Sequence, residues 1–414
     1  MELPAATKVR ARRAGWDEAL IERLEQSPAR PDQVLHLAEA KITGNRVGGW
    51  LDFVINNPDN PFAEAPLMAI RTDRERLAPL RPSENGLLLE QINAGTYGVV
   101  PDRWPYENDT PRGSTPLRGQ HLPANYSIYD KSEVWADGLD ALYEEAVQDR
   151  WAPSTDLDWS EGLTDLPEEM ERAVCQLATV YSNHGLIEQK ILAKRVEEIS
   201  YGFHEVKIFV ATQIYDAGRK AEALRKRSLT NGGGLGQAPL GHLYRGWYGA
   251  LKWTEMIVQL DVVYKSYEVS LFEAAAEYVQ TDLERRLFEL LARDSRRHLR
   301  YGLKHLEWYV TYHGERAAQN ARFFLGRGEL ALSNELVGSA VEREALVLLL
   351  AGSLETLSVG VEKLRVIRDK QLQDYIANLD SIGVDRLPRV SKKLAQLAED
   401  PLMSGAGDVR PSTD

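Results

Sequence analysis

Cysteine is almost missing from this chain. A single residue, Cys175, in 414 excludes a disulfide framework and any site built from several thiolates. It stands in an apolar helical stretch, where a lone thiol is most simply a small buried hydrophobe. Long apolar runs are missing too, since no stretch approaches the ~20 residues that span a bilayer. The N-terminal MELPAATKVRARRAGW has basic residues with no apolar segment behind them, so it does not read as a secretory leader. An excess of positive charge is also lacking. The 50 Lys and Arg face 62 Asp and Glu, and the formal net charge of −12 has the wrong sign for a nucleic-acid partner. The expectation is a soluble, cytoplasmic chain with neither a membrane nor a nucleic-acid partner.

Strand patterns are absent as well, and helical periodicity takes their place. Residues 1–130 read as an irregular N-terminal extension with short helices, one around 16–26 and another begun by Pro31. Prolines scattered from Pro58 to Pro123 keep helices short there, so this part reads as ordered loop. Its aromatic residues Tyr97, Trp104, Tyr106 and Tyr126 suit an interface or a cover for the chain's own core. From Lys131 the 3.6-residue period takes over. Helices are expected over 132–148, 167–200, 204–227, 243–276 and 281–312, then 314–332 and 341–379. Residues 131–312 would form the core, 313–400 a layer of C-terminal helices packed on it, and 401–414 a disordered tail. Asn231-Gly-Gly-Gly-Leu-Gly236 has no strand before it and no Lys-Ser/Thr after it, so it reads as a flexible connection rather than a phosphate loop.

Two stretches on separate helices echo one another: Asp216-Ala217-Gly218-Arg219-Lys220 and Asp294-Ser295-Arg296-Arg297-His298. Both follow the frame Asp-x-x-Arg-x. Each is preceded, one long helix earlier, by an acid among apolar neighbours: Glu188 before Ala217, and Asp261 before Ser295. In these features residues 133–312 resemble the ferritin-like di-iron carboxylate superfamily, of the ribonucleotide-reductase small-subunit and bacterial multicomponent monooxygenase type. There the frame reads Asp-Glu-x-Arg-His, and two Glu-x-x-His pairs with two lone carboxylates clasp two metals inside a four-helix bundle. The resemblance implies an all-α, ferritin-like four-helix bundle with flanking helices. It also implies that Glu188, Asp216, Ala217, Lys220, Asp261, Asp294, Ser295 and His298 share one interior region.

The departures from the frame matter most. Ala217, Lys220 and Ser295 stand where ligands belong, and only His298 remains of the two pairs. Glu188, Asp261 and His298 offer three ligands at best for iron or manganese, while an ammonium at Lys220 would replace a metal's charge. Glu188 also fits a solvated stripe with Lys190, Lys194 and Glu197. The expected core is therefore metal-free and charge-paired, with Lys220 against Glu188 or Asp261 and facing Asp294, and with Asp216 against His298. The resemblance then implies two functions. One is a non-catalytic subunit that joins a homo- or hetero-oligomer with a ligand-complete ferritin-like paralogue in a monooxygenase-type oxidoreductase assembly. The other is an independent oxidase or oxygenase-like enzyme that uses the pocket with one metal or none.

Overall fold

The protein is described here from a computed structural model, covering residues 2–56, 79–93, 99–105, 110–114, 126–160 and 166–403. The chain divides into two compact units, Met1–Ala78 and Pro79–Asp414. Residues 1–130, expected as one extension, thus fall on both sides of a boundary. Much of the proline-rich stretch, with Tyr97 and Tyr106, and the tail from residue 404 lie outside the described residues.

The first unit holds four helices: α1 (Ala5–Arg13), α2 (Glu18–Gln26), α3 (Pro31–Ile42) and α4 (Gly48–Asn56). Local signals start them. The Asp17 carboxylate caps α2 by accepting from the Leu20 N–H at 2.8 Å, and Pro31 opens α3 where no donor is needed. Trp16, Ile21, Leu24, Val34, Leu37 and Leu51 form a core within this unit.

In the second unit, short α5 (Leu89–Ile92) and α6 (Leu139–Gln148) precede a bundle. The helix expected from residue 132 begins only at Leu139, because Gly138 takes a left-handed conformation (φ 75°) at its start. The bundle helices follow: α7 (Glu168–Val196) and α8 (His204–Thr230). Acids in the first turn of α7 and Lys194 and Arg195 in its last turn complement the helix dipole. The third bundle helix differs from expectation. It breaks after α9 (His242–Tyr248) and restarts as α10, three segments in one run: Trp253–Ile257, a π-helical stretch Val258–Tyr264, and Lys265–Tyr278. The fourth, α11 (Asp282–His313), is capped by the Thr281 hydroxyl, which accepts from Glu284 N–H at 3.1 Å.

These helices pack as two antiparallel pairs. A Cβ at Gly185 of α7 would lie 2.6 Å from the Ala217 carbonyl of α8, and one at Gly302 of α11 would lie 2.7 Å from Asp261 Cβ of α10. Glycine at both points lets the backbones approach. The pairs are joined by a long crossover that runs the length of α7. Near one end Gln176 Nε2 donates to the Gln237 carbonyl at 2.9 Å, and farther along Lys190 and Lys194 lie over the rings of Tyr244 and Tyr248. The glycine-rich stretch is thus docked rather than loose: a Cβ at Gly233 would meet Cys175 Sγ at 2.6 Å. This is the connectivity of a ferritin-like bundle.

Four further helices flank it: α12 (Glu315–Gly338), α13 (Ala340–Ala351), α14 (Leu357–Asp380) and α15 (Lys392–Glu399). The single long helix expected over 341–379 is bent by 97° at Gly352, which adopts φ 81°. Among the described residues β-structure is confined to isolated bridges, and no single helix is long and apolar enough to cross a membrane. The fold is all-α.

Candidate functional site

Four charged side chains from three bundle helices close a ring in the core. On α7, Glu188 turns inward and is fully buried, so it does not belong to a solvated stripe. Its Oε1 accepts from Lys220 Nζ of α8 at 2.5 Å and its Oε2 from Lys265 Nζ of α10 at 2.8 Å. Glu268, one turn beyond Lys265, repeats the arrangement. Its Oε1 accepts from Lys220 Nζ at 2.6 Å, and its Oε2 accepts from Lys265 Nζ. Each carboxylate bridges both ammonium groups, and each ammonium bridges both carboxylates. All four side chains are at most 4% exposed.

The ring balances two positive against two negative charges, as burial demands. Burial by itself would raise the Glu268 carboxyl, but Lys220 and Lys265 outweigh it and hold Glu268 well below the usual carboxylate range. Burial likewise opposes the charge on Lys265, and Glu188 and Glu268 outweigh it and raise the ammonium above its usual value. Two neutral donors complete the Glu268 shell: Ser295 Oγ at 2.9 Å from Oε2 and Tyr264 Oη at 2.7 Å from Oε1.

The two Asp-x-x-Arg frames build a second ring between α8 and α11. Asp216 accepts from Arg219 at 2.6 Å and from Arg297 at 2.7 Å, and Asp294 accepts from the same pair at 2.6 and 2.9 Å. Trp151 Nε1 donates to Asp294 at 2.9 Å, and Arg219 donates to the Trp151 carbonyl at 3.0 Å. His298 Nε2 lies 3.1 Å from Asp216 Oδ2, the pairing expected from sequence. Burial lowers the His298 imidazole, which donates to Asp216 in its neutral form.

The expected region is therefore split in two. Glu188, Lys220 and Ser295 meet in the Lys/Glu ring, and Asp216, Asp294 and His298 meet in the Asp/Arg ring. The expected contact of Asp294 with Lys220 does not form, because the two frame arginines occupy Asp294 and both ring glutamates occupy Lys220. Ala217 is buried under Gly185. Asp261 is fully buried but outside both rings: its Oδ1 accepts from Gln213 Nε2 at 2.6 Å, and burial pushes its carboxyl well above the usual range. Lys265 and Glu268 were missed. Their signal was a Lys and a Glu one helical turn apart inside the apolar run Leu260–Leu271, with Glu268 placed before Ser295 almost as Glu188 is placed before Ala217.

A di-metal centre does not fit these residues as they stand. All four carboxylate oxygens of the Lys/Glu ring hold ammonium groups, and His298 is directed to Asp216. Among the described residues no group of three or more His, Cys, Asp or Glu side chains is placed to hold a metal ion.

No family model matches the sequence, and no curated protein matches it. Among solved structures the chain is similar to an R2-like ligand-binding oxidase with an anaerobically reconstituted Mn/Fe cofactor. The identity is 14%, the match covers 60% of this chain and 95% of that one, and the TM-score is 0.36, a likeness that carries no argument about the site.

Proposed function

We propose that this chain is a ferritin-like scaffold with a degenerate di-iron site, in which two lysine ammonium groups stand in for two metal ions. It works as a non-catalytic subunit of a monooxygenase-type oxidoreductase assembly. The closed ring of Glu188, Lys220, Glu268 and Lys265 carries the reading. Two carboxylates that each bridge two cations are the electrostatic pattern of a two-metal centre. An ammonium group reproduces the charge and the tether but offers only N–H donors, so it neither polarises a bound oxygen nor changes oxidation state. What such a scaffold retains is its helix packing and its surface, which suits a partner role. The partner it suits is a ferritin-like chain with both Glu-x-x-His pairs intact.

Metal analysis of protein expressed with excess iron and manganese tests the core, and co-purification from the native host tests the role. The expected results are well under one transition metal per chain and a co-eluting ferritin-like partner. A stoichiometry near two, removed by chelation with loss of activity, overturns the ammonium reading. A homo-oligomer or monomer that turns over a substrate alone establishes the independent enzyme instead.

A further inference from the structure

Beside Glu268 lies a small chamber whose lining includes Tyr181, His184, Tyr264, Tyr267, Glu342 and Arg368, all buried. Three polar atoms of these residues have no hydrogen-bond partner among the described residues: His184 Nε2, Tyr267 Oη and Arg368 Nε. Buried polar groups of this kind are normally matched by protein or by ordered water.

The hydrogen-bond network sets the role of each atom. Glu268 is held ionised and accepts only, so Tyr264 Oη donates to it at 2.7 Å. Tyr264 then accepts at its 3.0 Å contact with His184, and His184 Nδ1 carries the hydrogen. Burial lowers the His184 imidazole to about 4, so it is neutral and its Nε2 is a bare lone pair. Tyr267 and Arg368 contribute an O–H and an N–H. One acceptor and two donors are the complement of a water molecule, whose second hydrogen is left for the Glu342 carboxylate. The chamber offers about 20 Å³ to the centre of a water-sized sphere, above the ~10–15 Å³ that one water needs.

We propose that this chamber is a built site for one ordered water, bound by His184 Nε2, Tyr267 and Arg368. The water extends the line Glu268–Tyr264–His184 to Glu342, which already accepts from Tyr181 Oη at 2.8 Å. The inference is independent of the subunit reading, since the chamber does not involve a partner chain.

Two measurements on the unaltered full-length protein test it. Nitrogen-15 NMR of histidine-labelled protein at neutral pH is expected to show His184 as the Nδ1–H tautomer. An Nε2–H tautomer or a doubly protonated ring overturns the proposal. A crystal structure with ordered solvent is expected to place one water within hydrogen-bond distance of His184 Nε2 and of Tyr267 Oη or Arg368 Nε. A dry chamber, or His184 Nε2 bonded directly to protein, overturns it as well.

Discussion

Lys220 has two acids to neutralise, and removing it leaves Glu188 and Glu268 with Lys265 alone. Lys220→Met is expected to destabilise the protein by roughly 3–5 kcal/mol, the cost of breaking a buried pair by deleting one partner. Urea unfolding measures it. Adding Asp294→Asn should recover nothing, because Asp294 belongs to the arginine ring, whereas adding Glu268→Gln should recover much of the loss. Rescue by Asp294→Asn instead would show that the two rings are not separate. His305 offers a pH test at the same scale. It is held neutral between the Trp135 carbonyl, 2.8 Å from Nδ1, and the Thr254 hydroxyl, 3.0 Å from Nε2. Burial lowers its imidazole from 6.5 to about 4. Between those values the unfolded chain binds the proton and the folded one does not, so the contribution is complete above about pH 6.5 and is lost as the pH falls toward 4. The stability difference between the native protein and His305→Gln should therefore shrink across that window, by at most about 1.4 kcal/mol per pH unit. A difference that stays level would mean that the folded imidazole titrates normally.

At the scale of the element, α10 explains most of what the sequence reading missed. The π-helical stretch Val258–Tyr264 widens the turn, so residues after it face directions that a 3.6-residue count does not give. The sequence reading placed Asp261 before Ser295, whereas the acid that meets Ser295 is Glu268, two turns later and beyond the π-helical stretch that holds Asp261. The same stretch is pressed against Gly302, where an added Cβ would fall 2.7 Å from Asp261 Cβ and 2.9 Å from its backbone carbon. Because backbone cannot swing aside, Gly302→Ala should cost about 1–3 kcal/mol or more by overpacking. Thermal unfolding decides the point, and an unchanged midpoint would mean that α10 and α11 have room to separate there. Caps and periodicity located α7, α8 and α11 well, since those signals act within a few residues. The breaks at Gly249–Lys252 and Gly352 were not legible, because glycine is tolerated inside helices and here the packing chose to use it.

For the whole molecule, both rings and the water chamber lie within Pro79–Asp414, and Met1–Ala78 has a core of its own. A protein beginning at Pro79 is therefore expected to fold with its helical circular-dichroism signal and cooperative unfolding intact. Loss of cooperativity would show that the bundle depends on the unit Met1–Ala78. From the sequence came the expectation that the chain is helical, that a four-helix core follows the N-terminal extension, and that Lys220 pairs with an acid inside it. Periodicity gave the helices, the resemblance implied the four-helix core and the place of Lys220 in it, and the cost of burying an unpaired charge implied its acid partner. Only the tertiary structure decided that there are two rings, that Lys265 and Glu268 complete one of them, and that Asp261 is left outside both. The reason is physical. Charge pairing in the core joins side chains from helices far apart in sequence, and it depends on directions that one π-helical stretch is enough to change.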